Sequence, residues 1–539
     1  MVQKYNDDEE IQRPQSLSGA NSGAFEADGT TAMYYNKRDA SLKSEKFTVL
    51  LELTGTEGDE SDERPGLDIV IVLDVSGSMR GKNLEQLKIA SKFLIKKLSA
   101  VDRLSVVIFS SHAQRLCPLS LMNQDAQSHV EGLIHELKAG GGTNITAGLE
   151  EAIKVLNDRR FTDGREVAIM FMSDGNPSKG YDGSKVTFGD VPVHTFGLGQ
   201  DYHPQVLTDI AARSNGGTFN TSDVDNPKTS NLSIAFAQCL AGLLSVVVKD
   251  LTLIITKQKS TIQKVSVGNY PQTRDDTEGT ATVSFGNLYS RETRNVLVNL
   301  VLDEVKSPKG TDILEFTYTY KRVIGDREYD VAPVTITVSR TETPSGQEIP
   351  EVLNEIARQD TAEKMKDARK LADRKLFDDA KGKLNEARQD LERKELNQSD
   401  PLIKGLLAEV KQLTELMATP EIYEKLGRAF AFASELSHAL QRASARGDVS
   451  ELRLFATKAM DQLLSQVKNY EKNPNMPVPT TADDKKTRIA EEKANPTIKK
   501  PAPKPKETTV ADIAQVLSTH LADAIKSLTA IKELIDKSH

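Results

Sequence analysis

Between residues 66 and 246, short runs of consecutive apolar residues alternate with amphipathic segments. LDIVIVLD (67–74), RLSVVIFS (103–110), EVAIMFMSDG (166–175) and VPVHTFGLG (191–199) read as strands buried on both faces. Leu84, Leu87, Ala90, Phe93, Leu94 and Leu98 share one helical face. SHVEGLIHEL (128–137), NITAGLEEAIKVLNDRR (144–160) and LTDIAARSNG (207–216) continue in the helical period. GTFN (217–220) predicts a last short strand and SIAFAQCLAGLLSV (233–246) a closing helix. Strands alternating with helices in this way predict a doubly wound, Rossmann-like parallel α/β sheet.

The flanking pattern differs. KFTVLLELTG (46–55) alternates as a strand within residues 43–65, and six alternating runs fill 247–343, as in a β-sandwich. The early strand has no other partner, which predicts that the α/β unit is inserted in the sandwich or simply followed by it. Residues 349–472 are helical, with breaks near Lys375–Phe377 and at Pro401, Pro420 and Gly447. The fold expected is therefore multidomain: α/β, then β, then α. Residues 1–42 are polar and predict a disordered arm. Residues 473–508, rich in Pro and Lys, predict a stiff linker. Residues 509–539 form an amphipathic C-terminal helix in which Val510, Ile513, Leu517, Leu521, Ala524, Leu528, Ile531 and Ile535 recur at three- and four-residue steps. That helix either docks on its own chain or joins two chains as a coiled coil over 509–537.

Composition narrows the function. A chain of 539 residues with net charge −8 does not look like a nucleic-acid binder. No apolar run approaches the roughly 20 residues that span a bilayer, and the N-terminus shows no secretory pattern. Cytoplasmic localisation is expected, because only two cysteines, Cys117 and Cys239, are present. Two cysteines also exclude a zinc ribbon or RING module. GSMRGK (77–82) is one residue short of a P-loop, and Asn83 stands where Ser or Thr is needed.

The chemistry concentrates at one edge of the expected sheet. The first buried strand ends in Asp74-Val75-Ser76-Gly77-Ser78, the loop GGGTN carries Thr143, and EVAIMFMSDG ends in Asp174. Ligands of doubly wound sheets bind at the carboxyl ends of strands near a topological switch point. Two carboxylates and three hydroxyls would meet there. These are hard oxygen donors, suited to Mg²⁺, with Mn²⁺ or Ca²⁺ as alternatives. Asp74, Ser76, Ser78, Thr143 and Asp174 are the expected metal residues. No catalytic constellation accompanies them, so no enzymatic activity is expected.

DVSGSM, GGGTNI and MSDG, in this order, resemble the metal-ion-dependent adhesion site of von Willebrand factor A domains, over about residues 66–246. The resemblance implies that Ser76, Ser78 and Thr143 ligate the metal directly, and Asp74 and Asp174 directly or through water. It also implies a protein partner that offers an acidic residue. DRLSVVIFSSHAQRLCPL, GGGTNITAGLEEAIKVLNDRR and GRAFAFASELSHALQRASARGD (427–448) are similar to plant ubiquitin ligases of the WAVY GROWTH family. That family carries an N-terminal RING, whereas residues 1–42 hold neither Cys nor His. The expected function is an interaction or adaptor protein. The alternatives are a RING-less component or regulator of a ubiquitin-ligase system, and a secreted adhesion protein resembling inter-alpha-trypsin inhibitor heavy chains.

Overall fold

A computed structural model describes residues 29–56, 64–199, 202–222, 232–322, 328–393, 396–446 and 452–494. The first strand, β1 (Gly29–Tyr35), already lies within the span expected to be disordered. After the two-residue β2 (Ala40–Ser41), β3 (Glu45–Gly55) runs antiparallel to β1 in full register. Met33 and Tyr35 pack on one core and Tyr34 on another, an alternation masked by the polar context. Residues 29–41 thus correct the expected arm 1–42, and residues 1–28 lie outside the described residues.

The α/β unit begins with β4 (Gly66–Asp74), followed by α1 (Lys82–Lys97), β5 (Arg103–Phe109) and β6 (Ala113–Leu121). Then come α2 (Gln124–His135), α3 (Ile145–Asn157), β7 (Arg165–Ser173) and β8 (Val193–Leu198). α4 (Pro204–Arg213), β9 (Phe219–Ser222) and α5 (Leu232–Leu243) complete it. The sheet order is β6-β5-β4-β7-β8-β9, parallel except for β6. Every residue of β4 is buried, as its unbroken apolar run required. Leu87 and Phe93 of α1, Ile134 of α2 and Phe236 of α5 share one core; Leu149 of α3 and Ile210 of α4 belong to the other. The unit is therefore doubly wound. β6 was not foreseen: Pro118 interrupts its pattern, and proline is tolerated because β6 is an edge strand.

The next strands are β10 (Val246–Lys257), β11 (Ser260–Ser266), β12 (Gln272–Asp275) and β13 (Thr280–Tyr289). β14 (Thr293–Leu302), β15 (Lys309–Arg322), β16 (Glu328–Asp330) and β17 (Val334–Thr341) follow. One sheet is ordered β1-β3-β14-β11 and the other β12-β13-β10-β15-β17-β2, with β16 on β15. The α/β unit therefore leaves the chain between two sandwich strands, β3 and β10, of opposite sheets.

α6 (Pro350–Asp373) and α7 (Phe377–Leu391) form a hairpin that turns at Lys375, whose φ is +64°. α8 (Pro401–Leu416) starts on an Asp400 cap. α9 (Pro420–Ile422) leads through a π turn at Tyr423–Gly427 into α10 (Arg428–Leu440). α11 (Lys458–Lys472) buries Leu463, Leu464 and Val467 in the same core as α5. α12 (Thr481–Ala494) occupies part of the span expected to be linker. It is poor in apolar residues and is held by polar contacts instead: Lys97 with Asp484, Gln466 Nε2 with Asp484 Oδ1 (2.7 Å), and Arg488 Nη1 with Gln462 Oε1 (2.9 Å). The rest of 473–508 beyond residue 494, and the expected helix in 509–539, lie outside the described residues. Among the described residues no helix is long and apolar enough to cross a membrane. Cys117 and Cys239 are buried free thiols.

Two of the buried groups make the fold sensitive to acid. His194 is enclosed, its Nδ1 accepting the Thr218 backbone N–H (3.3 Å), and burial pushes its pKa down to about 3, with nearby Arg442 adding to the effect. Glu409 pays the burial cost of its charge but is held down at about 2 by Arg446, His438 and Ser434. Both folded-state values lie below the unfolded ones, so both contributions are complete above the unfolded pKa and fade as pH falls. His194 should begin to destabilise the fold below about pH 6.5, with a slope approaching about 1.4 kcal/mol per pH unit. Glu409 adds its share from about 4.5 downward. Urea unfolding of His194→Gln against wild type from pH 7.5 to 4.5 checks this. The stability gap between them is expected to shrink as the pH falls.

Candidate functional site

The site lies where β4 and β7, neighbours at the switch point of the sheet, deliver their C-terminal ends side by side. β4 ends on Asp74, whose side chain is fully buried. Asp74 Oδ1 accepts the Ser76 backbone N–H (2.8 Å), and Oδ2 accepts the Ser173 hydroxyl (2.6 Å). Ser76 Oγ and Ser78 Oγ are 3.0 Å apart. Ser78 Oγ in turn donates to Asp174 Oδ1 (2.7 Å), and Asn83 Nδ2 donates to Asp174 Oδ2. The loop after β4 is fixed by backbone bonds to the glycine loop: Gly77 N to Gly141 O (3.0 Å) and Gly140 N to Val75 O (2.7 Å). Gly141 adopts φ +91°, which a side chain would strain.

Thr143 enters from the glycine loop. Its hydroxyl is not in the bonded chain Asp74–Ser76–Ser78–Asp174 but faces it across Gly175. A Cβ placed on Gly175 would stand 3.1 Å from Thr143 Oγ1 and 3.3 Å from Ser78 Oγ. All five expected residues are therefore within one small cluster. Ser78 is exposed and opens it to solvent, while Asp74, Ser76, Thr143 and Asp174 are buried. Ser173 and Asn83 were not foreseen as parts of it. Ser173 directly precedes Asp174, and Asn83 directly follows the glycine-lysine pair that failed as a P-loop; both were visible but had no assigned partner.

Burial pushes the Asp74 carboxyl up to about 6, and the neighbouring Asp174 charge pushes the same way, against the lowering hydrogen bonds of Ser173 and Ser76. Two carboxylates are thus brought together in a buried place where each raises the cost of the other's charge. The donor set is entirely hard oxygen, with a side-chain-free cradle at Gly175. Both features fit a small divalent cation held by Asp74, Ser76, Ser78, Thr143 and Asp174.

Comparison with known proteins agrees with this architecture. Residues 68–232 match the von Willebrand factor type A domain family. Residues 400–469 match the family described as VWA / Hh protein intein-like. The chain is 31% identical over 250 residues to the E3 ubiquitin-protein ligase WAV3 of Arabidopsis thaliana, covering 45% of this chain and 32% of that protein. It is 31% identical over 264 residues to protein sll0103 of Synechocystis, covering 46% and 60% respectively. Inter-alpha-trypsin inhibitor heavy chain H1 of Sus scrofa is 28% identical over 166 residues, covering 28% of this chain and 18% of that one. The chain spans between about a fifth and three fifths of the length of these relatives. A von Willebrand factor type A protein from Catenulispora acidiphila shares the fold at a TM-score of 0.55 and 16% identity, over 79% of this chain and 99% of that one. The chain thus contains a von Willebrand factor A domain followed by strand-rich and helical regions.

The cradle at Gly175 gives a direct test. Gly175→Ala places a methyl within 3.1–3.3 Å of Thr143 Oγ1 and Ser78 Oγ, which must each give way by a few tenths of an ångström. The variant is expected to fold, with a small change in thermal midpoint, and to lose most of its Mn²⁺ affinity by electron paramagnetic resonance titration. Unchanged Mn²⁺ binding would show that these hydroxyls do not hold the ion.

Proposed function

We propose that the protein is a non-enzymatic adaptor of the cell interior. It engages an acidic group of a protein partner through a divalent cation, Mg²⁺ first and Mn²⁺ or Ca²⁺ as alternatives, held by Asp74, Ser76, Ser78, Thr143 and Asp174. The observation that supports this most is the bonded run that links buried Asp74 to the Ser76 amide, and the Ser76 hydroxyl through that of exposed Ser78 to Asp174. When bound, the cation supplies an open coordination position and a positive charge for an incoming carboxylate. The residues do the rest. Ser173 and the Ser76 amide orient Asp74, Asn83 orients Asp174, and the exposed Ser78 hydroxyl keeps the cluster accessible. Two buried free thiols favour a reducing compartment.

A second reading follows from the relatives named as ubiquitin ligases. With two cysteines in this sequence, it would take part as a substrate receptor or regulator rather than as a zinc-based ligase.

Affinity purification of the tagged chain from native extract, in Mg²⁺ and in EDTA, separates these readings. A set of partners that is lost in EDTA and with Asp74→Ala is expected. RING-bearing proteins among them would favour the second reading, and extracellular matrix proteins would favour the secreted alternative. In parallel, Mg²⁺ should raise the thermal midpoint of wild type and leave that of Asp74→Asn unmoved. A partner set and midpoint indifferent to metal would refute the adhesion-site reading.

A further inference from the structure

Four segments beside the cluster carry a charge opposite to that of the chain. Residues 76–82, 110–112, 139–144 and 175–185 hold Arg80, Lys82, Lys179 and Lys185, all exposed, and apart from Asp174 a single carboxylate, Asp182. The whole chain has a net charge of −8. Asp182 is turned into its own loop, where Oδ1 accepts the Ser184 amide (3.0 Å) and hydroxyl (2.6 Å). Arg80 lies along the glycine loop, with Nε 3.4 Å from Ala139 O. Lys179 follows Ser178, whose amide donates to Thr143 O (2.9 Å). Two cations therefore belong to segments anchored directly beside the cluster. Tyr181 adds an apolar surface. Its backbone is pinned by Tyr181 N to Ser178 O (2.9 Å) and Thr146 N to Tyr181 O (3.2 Å), while its side chain leaves the residue 48% exposed.

One partner carboxylate at the cluster would not by itself engage Arg80, Lys179 and Tyr181. Building on the metal-site reading above, we infer that this surface takes an extended, multiply acidic peptide segment. One carboxylate goes to the cluster, others to Arg80 and Lys179, and an apolar side chain lies on Tyr181. Arginine matches a carboxylate with paired donors, and a rim of one sign speeds encounter with a flexible segment of the other. A nucleic acid is also polyanionic, but a few rim cations on an acidic chain fall short of the basic face such ligands need.

The test uses the full chain and a fluorescein-labelled Gly/Ser peptide carrying several glutamates and one leucine, beside its glutamine counterpart. In Mg²⁺ the glutamate peptide is expected to bind and the glutamine peptide to fail, with affinity falling as NaCl rises. The double variant Arg80→Ser/Lys179→Ser should weaken binding about fivefold, as for two partly exposed ion pairs, and flatten the salt dependence. Tyr181→Ser should weaken binding without changing the salt slope. None of these exposed changes should alter Mn²⁺ binding by electron paramagnetic resonance. Wild-type peptide affinity in the double variant, equal binding of the glutamine peptide, or displacement by a single-stranded oligonucleotide at lower concentration would each overturn the inference. Binding that survives EDTA and Asp74→Ala but falls in the double variant would support the acidic-segment surface while removing the metal reading.

Discussion

One buried guanidinium touches all three parts of the protein. Arg442, just after α10, donates Nε to Glu292 Oε1 (2.9 Å) and Nη2 to Glu292 Oε2 (3.1 Å) and Asn287 O (2.8 Å) in the sandwich. Its Nη1 reaches Gly216 O (3.0 Å) in the α/β unit, and the group lies 4.2 Å over the Tyr289 ring. A buried charge is tolerable only when its partners are complete. Here Glu292 is also bonded to Tyr289 N (3.0 Å) and paired with Arg294, and its charge is held well within the ionised form by the two arginines. The pair therefore acts less as a source of net stability than as a constraint on registration: shifting any of the three parts would take a partner from the buried Arg442 donors.

The neighbouring residues extend that constraint through the backbone. Gln441 is left-handed (φ +47°), and its side-chain amide imitates a strand, accepting Asn295 N (2.7 Å) and donating to Asn295 O (2.8 Å). Four residues on, the Thr221 amide donates to Ala445 O (3.0 Å), and the Ala445 amide donates to Asn220 Oδ1 (2.9 Å). The segment thus covers the exposed edge of β9, the last strand of the parallel sheet, which would otherwise present unpaired backbone. Near the N-terminal end of β4, Asp68 is enclosed by Arg103, Arg159 and Arg165, away from the carboxylate at the other end of the strand.

How much of this was legible depended on range. The α/β unit was readable because strands buried on both faces leave unbroken apolar runs, and because Asp74-x-Ser76-x-Ser78 is a local pattern. The gathering of Thr143 and Asp174 followed from the general rule for strand ends in a doubly wound sheet. The roles of Ser173 and Asn83 did not, since each depends on which carboxylate it faces. β6 was hidden by Pro118, β1 by a polar neighbourhood, and α12 by the scarcity of apolar residues in a helix fastened through Asp484 and Arg488. Arg442 lies 150 residues from Glu292 and carries no local signature of its function.

All residues of α5 from Leu232 to Leu243 are buried, and the helix shares one core with α1 and α11. A helix apolar all round has no face to offer to water. The von Willebrand factor A domain of this chain is consequently not a free-standing cassette. A gene rearrangement that carried off residues 68–232 alone would leave its closing helix behind, and one that included the helix would deliver an oily surface without the cover it folds under. The domain and its helical companion therefore fold as one unit around α5.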